Sequence, residues 1–156
     1  MNRATLYSTV IVISHALVSL IHGVAHSQLQ IDISPAQMWF VLLVIGLCPL
    51  VAMGLLWTSQ KTSGLILLVL SMAGSLMFGL FGHFLVMGPD HVGEQMQGPW
   101  ATTFALTAYG ILITEVLGVL VGLRFLLPHR EKAEASRKSH CWQNRSAGTG
   151  NHTRPS

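Results

Sequence analysis

Five of the eight histidines lie within or next to apolar stretches, where an ionisable side chain is costly. Hydrocarbon penalises such side chains by a few kcal/mol or more, so they usually face a protein interior and mark a functional site. The residues concerned are His15, His22, His26, His83 and His91. Their type and placement predict an internal cluster of imidazoles.

The first apolar stretch concentrates its polar residues on one side. At about 100° per residue, these residues form a narrow helical stripe that predicts contact with the interior of a bundle. The stripe contains Ser8, His15, Ser19, His22 and His26. His22 and His26 are four residues apart, so both rings are expected to reach one ion from adjacent turns. A zinc-protease helix would have glutamate where Gly23 stands, which disfavours a metalloprotease.

A second stretch and the segment after it supply further candidate ligands. His83 precedes a Gly-Pro-Asp-His segment at residues 88–91, which is expected to break the helix and bring Asp90 and His91 to the same level. Imidazole and carboxylate ligands suit zinc, copper, iron or manganese rather than calcium. The metal site predicted from the sequence consists of His22, His26, His83 and His91, with Asp90 assisting. Acidification should weaken such a site because its imidazoles protonate.

Some of these residues also have a simpler interpretation. His26 and His91 are equally compatible with ordinary residues at a wet membrane edge. Asp90 after Gly-Pro is also typical of a turn. His15 and Glu115 both fall near the middle of their stretches, where we expect a buried polar pair that is either structural or part of a proton relay.

Two other functions fit the same histidines. A b-type haem needs two axial imidazoles on facing helices, and His22 with His83, or His15 with His83, meets that requirement. Glycines 23, 79 and 82 would leave room for the edge of the ring. The third hypothesis is a non-catalytic accessory subunit whose polar stripe binds a second copy or another membrane protein. The sequence does not decide whether the protein is an enzyme.

The composition predicts an all-α integral membrane protein. Half of the 156 residues are hydrophobic and only a tenth are charged, against about a quarter charged in ordinary soluble domains. A helix of roughly 20 apolar residues spans the hydrocarbon of a bilayer, and lipid leaves backbone groups no other partners. Four stretches meet that length and predict a four-helix bundle with short loops, embedded in the lipid bilayer: residues 6–26, 36–57, 64–87 and 100–127.

The positive charge predicts orientation rather than nucleic-acid binding. Arg3 precedes the first stretch, Lys61 lies between the second and third, and the other seven Lys and Arg begin at Arg124. The connections at residues 27–35 and 88–99 contain none. The positive-inside rule therefore predicts that both termini are cytoplasmic, in the plasma (inner) membrane if the source is bacterial.

The chain is expected to divide at Pro128. Residues 1–127 form the predicted membrane domain, and residues 128–156 are polar and basic and predict a disordered cytoplasmic tail. Cys48 and Cys141 fall in different environments and do not predict a disulfide. A cleaved signal peptide is an alternative for the first stretch, although its length and its histidines argue against cleavage.

Local patterns predict details of the other helices. Ser34, Pro35 and Gln37 form the pattern of a capping box with proline at the first helical position. Pro49 is expected to kink the second helix. Small residues recur every four positions in the third and fourth stretches, which predicts close helix packing and an inward-facing His83. These small residues are Ser71, Ser75, Gly79, Gly110, Thr114, Gly118 and Gly122.

Overall fold

The computed structural model describes residues 3–94 and 98–148, with side chains as far as Leu127. The described residues form four long helices joined by short connections, and no strand occurs among them. The helices are α1 (Arg3–Gln28), α2 (Pro35–Leu56), α3 (Lys61–Leu85) and α4 (Pro99–Gly148). The number of helices predicted from the sequence is confirmed.

All four helices are long and apolar enough to cross a membrane, α4 over Pro99–Leu127. Their outward faces are apolar as well. Leu20, Leu70 and Leu106, on three different helices, are each about two-thirds exposed, at 68, 66 and 68 %. A continuous exposed apolar surface of this kind is stable in lipid but not in water.

The bundle is held by α4, which packs against both α1 and α3, while α2 packs against α3. One apolar core lies where α1, α2 and α3 meet, and its central members Val12, Leu68 and Met72 are fully buried. At Gly122 a β-carbon would overlap the side chain of Val69 on α3. The glycine therefore permits the close approach of α3 and α4 that the small-residue pattern predicts.

Helix α2 begins as expected but differs in its middle. The Ser34 hydroxyl accepts from the Gln37 N–H at 3.3 Å, and the Gln37 side chain accepts from the Ser34 N–H at 2.9 Å, which completes the capping box. The segment Val41–Leu47 is π-helical, and the N–H of Cys48 donates to the carbonyl of Leu43, five residues earlier. Pro49 follows this segment. A widened turn here accommodates a residue that has no N–H and whose ring crowds the preceding carbonyl.

A second π-helical segment, Leu80–Leu85, ends helix α3 and contains His83. Val86 is extended, and the chain then folds back so that the N–H of Val92 donates to the carbonyl of His83 at 3.0 Å. Isolated π-helical turns are rare and are often found at functional sites. This fold-back brings the loop, including Asp90, to the end of α3.

The fourth helix extends beyond its predicted end at Leu127. The backbone of α4 continues through Pro128 to Gly148, and the disorder predicted for residues 128–156 is not confirmed. Proline has a helix-compatible φ and removes only one hydrogen bond, and the residues 131–135 that follow are strong helix formers. Residues 149–156 lie outside the described residues.

Candidate metal centre

Three imidazoles from two helices meet at one end of the bundle. The ring centroid of His22 lies 4.9 Å from the centroid of His26 and 4.9 Å from that of His83. The centroids of His26 and His83 are 5.9 Å apart. One nitrogen from each ring lies within 4.8 Å of the others. His22 and His83 are buried, and His26 is nearly so. The sequence prediction that these histidines converge is therefore correct.

The ring of His22 is held in one orientation by helix α4. Its Nδ1 lies 2.8 Å from the hydroxyl of Thr107. That hydroxyl lies 2.7 Å from the Thr103 carbonyl and 3.0 Å from the Phe104 carbonyl, so its single proton is donated within α4. Thr107 must therefore accept from Nδ1–H, which leaves the lone pair on Nε2. Nε2 is buried and has no hydrogen-bond partner among the described side chains and backbone.

Asp90 holds the other two rings. Its Oδ1 lies 3.1 Å from His26 Nε2 and 3.3 Å from His83 Nδ1, and its backbone carbonyl lies 3.0 Å from the same His83 nitrogen. Burial disfavours the carboxylate, but hydrogen bonds and charge from the two histidines prevail and hold the pKa of Asp90 well below its usual range. A β-carbon at Gly82 would lie 3.0 Å from Asp90 Oδ2, so the glycine makes room for this carboxylate.

Phe104 packs against all three imidazoles. It is fully buried, with ring centroids 4.7 Å from His22, 5.1 Å from His26 and 5.4 Å from His83. Its ring is stacked on His22 and meets the other two at steep angles. An apolar ring in this position excludes water from one side of the cluster and strengthens electrostatic interactions within it.

A cavity of about 290 Å³ opens beside the cluster. Its polar lining includes the three histidines and Asp90, together with Ser19, Ser75 and Glu115 further into the bundle. Much of the remaining wall is aliphatic and comes from the 31–45 segment of the chain. The cluster is thus reachable by a small ligand, and it is not sealed inside the core.

His15 and Glu115, predicted to form a buried polar pair, each contact a hydroxyl of another residue. His15 Nδ1 lies 3.1 Å from the hydroxyl of Thr114, and Glu115 accepts a short hydrogen bond from Ser75. Neither side chain is the other's partner among the contacts of the described residues. Both are buried, at 1 % exposure, and each is anchored by a hydroxyl on an adjacent helix.

His91 is not part of the three-histidine group in the described region. Its Nδ1 accepts a hydrogen bond from the N–H of Gly93 at 3.0 Å, within the loop. The turn at residues 88–91 directs Asp90 toward α1 and α3, and the ring of His91 instead shapes the loop. The structure therefore brings together His22, His26, His83 and Asp90, and the three-histidine group of the described residues does not include His91.

Sequence reasoning missed Thr107 and Phe104. For Thr107 a signal exists: Thr107 and Thr114 are seven residues apart, as are His15 and His22 on the antiparallel helix, and the structure pairs His22 with Thr107 and His15 with Thr114. Nothing in the sequence distinguishes Phe104 from the other aromatic residues of the four helices.

No protein-family model, no curated protein and no solved structure matches this chain. The evidence for function is therefore the geometry of the site, which is a set of three imidazoles with one associated carboxylate and an adjoining cavity.

Proposed function

We propose that this membrane protein binds a divalent transition metal ion through His22, His26 and His83, with Asp90 holding the last two rings. The observation that supports the proposal is that one nitrogen of each ring lies within 4.8 Å of the others. Imidazole binds zinc at about 2.0–2.1 Å, so ligand nitrogens must approach one another to within roughly 4 Å. Small ring rotations meet that requirement without moving a helix.

The anchoring of the rings supports ligation. Each ring has one nitrogen held by a threonine or by Asp90, which fixes ring orientation and raises ligand basicity at metal sites. Imidazole suits zinc, copper and iron, and manganese is also compatible with the adjacent carboxylate, whereas calcium prefers oxygen ligands. The metal is thus expected to come from this first-row group.

A bare ion fits this geometry better than the haem alternative. Axial imidazoles lie on opposite faces of a haem, with the whole ring between them. The centroids of His22 and His83 are only 4.9 Å apart, and their planes meet edge to face at 80°. The space beside Gly82 is filled by Asp90. An absorbance spectrum of the purified protein without a Soret band is the expected result.

The distribution of charge supports an orientation with the cluster near the outer surface. The cluster lies at the end of the bundle that carries Asp90 and Glu94, and the opposite end carries Arg3, Lys61 and Arg124. Under the positive-inside rule the arginines and the lysine are cytoplasmic. A metal ion would then reach the site from outside the cell, or from the outer side of the plasma (inner) membrane in a bacterium.

Metal content tests the proposal directly. The full chain is purified in detergent, equilibrated with zinc or cobalt(II), dialysed and analysed for bound metal. We expect about one ion per chain, and its loss in His22→Ala and in His83→Ala. His15→Ala is the matched control, because His15 is equally buried and held by the same kind of threonine contact, and it should retain the ion.

Two results would contradict the proposal. Wild-type protein that binds no metal would favour the accessory-subunit hypothesis, in which the polar stripe contacts a partner helix. Equal metal content in all four proteins would place the ion elsewhere in the chain.

A further inference from the structure

The cavity extends from the histidine cluster to a carboxyl group that the metal proposal does not use. Glu115 is 1 % exposed and lines the same cavity as His22, His26 and His83. One of its oxygens accepts from Ser75, while Oε2 is buried without a hydrogen-bond partner among the described residues. A buried polar atom left unpaired is costly, so a bound molecule that donates a hydrogen bond to Oε2 would be stabilised there.

Gly79 separates the two polar ends of the cavity. A β-carbon built there would lie 3.9 Å from Glu115 Oε2 and 3.9 Å from His83 Cδ2, so these two atoms are no more than twice that distance, 7.8 Å, apart. A short molecule is therefore long enough to reach from the cluster to Glu115. The adjacent wall, formed by Ile45, Phe78 and Ile111 among others, favours a molecule with an apolar body.

The cavity ends inside the bundle. Its innermost residue on α1 is Ser19, and the fully buried Val12, Leu68 and Met72 close the bundle beyond that level. Polar groups beyond this layer, such as Ser8, do not line the cavity. This arrangement is typical of a binding pocket with one entrance rather than of a passage through the membrane.

We propose that this cavity binds a small, mainly apolar molecule that coordinates the metal with one end and donates a hydrogen bond to Glu115 with the other. Three protein ligands leave a coordination position for an exogenous ligand, as in catalytic zinc sites. Glu115 selects molecules with a hydroxyl or amino group at the distal end, and Ser75 orients Glu115. The inference rests on the proposed metal site and assigns its ligand class.

A matched pair of thiols tests the assignment. The probes are 3-mercapto-1-propanol and 1-butanethiol, which have similar length and bind the metal as thiolates after releasing a proton, but only the first carries a distal hydroxyl. Each is titrated into the cobalt(II)-loaded protein and followed by the change in the cobalt absorption spectrum. Metal content is measured again after the titration, to establish that the thiol has not extracted the ion.

Wild-type protein should bind the hydroxylated thiol about tenfold more tightly than the alkanethiol, the effect of one hydrogen bond to a buried acceptor. Glu115→Leu should abolish that preference. Gly79→Ala places a methyl group between the two ends at ordinary contact distance, so it should fold normally and weaken both thiols. This second variant keeps the test valid if Glu115→Leu does not fold.

The outcomes separate this inference from the metal proposal. Protein that fails to hold cobalt contradicts the metal site itself. Protein that holds cobalt but binds neither thiol, or binds both equally, overturns the assigned ligand class and leaves the metal site intact. Retention of the tenfold preference in Glu115→Leu, or unchanged affinity for both thiols in Gly79→Ala, also overturns it.

Discussion

The same histidine–threonine contact occurs twice between α1 and α4, in two different surroundings. His22 is held by Thr107 at 2.8 Å, and His15 is held by Thr114 at 3.1 Å. In both contacts the threonine hydroxyl donates to a carbonyl of its own helix, so the ring donates from Nδ1 and keeps a lone pair on Nε2. The two imidazoles therefore have the same tautomer and the same kind of hydrogen-bond partner.

The difference between the two regions lies in what surrounds the free nitrogen. Around His22 the structure places His26, His83 and the carboxylate of Asp90. His15 lies deeper in the bundle, outside the three-histidine group of the described residues, and its ring is held by the Thr114 hydroxyl. The two regions therefore share an oriented imidazole and differ in the neighbours that α3 and the folded-back loop supply around His22.

Removing the carboxylate should have the largest effect among the anchoring changes. Asp90→Asn removes the negative charge that holds the rings of His26 and His83, and loss of such a partner typically lowers metal affinity by about 10- to 100-fold. Competition titration with a chelator of known affinity gives the value. Glu94→Gln, in the same loop, is the control and should bind metal as the wild type does. Unchanged affinity in Asp90→Asn would contradict the anchoring role.

Replacing the threonines compares the two regions directly. Thr107→Val should lower metal affinity by about tenfold, because the ring of His22 loses its orienting acceptor. Thr114→Val should leave metal affinity unchanged. Each variant leaves a buried N–H unpaired, so each should lose about 1–3 kcal/mol of unfolding free energy. Denaturation and metal titration on both variants give the two quantities, and equal losses of metal affinity would remove the distinction between the regions.

Glycine substitutions should have the smallest effect on metal affinity, because Gly122→Ala should act on stability alone and Gly79→Ala on the cavity alone. Gly122→Ala forces the new methyl group against Val69, and overpacking of this kind costs about 1–3 kcal/mol. Gly79→Ala meets only ordinary contacts and should leave the free energy of unfolding within about 0.5 kcal/mol of the wild type. Thermal unfolding in the absence of metal and thiol measures both. A larger loss of unfolding free energy in Gly79→Ala would show that the bundle around the cavity is packed as tightly as it is around Gly122.

The sequence predicted the four helices because the length and composition of a spanning segment are local properties. The polar stripe of α1 was readable for the same reason, since helical periodicity alone places His22 and His26 on one face. Shared depth led to the prediction that His15 pairs with Glu115, but depth alone does not specify which side chains meet across a helix interface. Both residues have hydroxyl partners, at Thr114 and Ser75.

The loop shows a second limit of sequence reasoning. The order Asp90-His91 makes both residues candidate ligands, and only the fold-back that pairs Val92 with His83 determines which of them faces the cluster. Likewise, the helix after Pro128 depends on local helix propensity outweighing one missing hydrogen bond. These outcomes depend on small energy differences that residue spacing does not reveal.

X-ray absorption spectroscopy of the zinc- or cobalt-loaded protein tests the central claim most directly, because it reports the ligands of the ion itself. We predict a first shell of nitrogen and oxygen near 2.0–2.1 Å, with outer-shell scattering from three imidazole rings. The number of rings should fall by one in His83→Ala if that variant retains any metal. A spectrum dominated by sulfur, or one without imidazole scattering, would contradict the site proposed here.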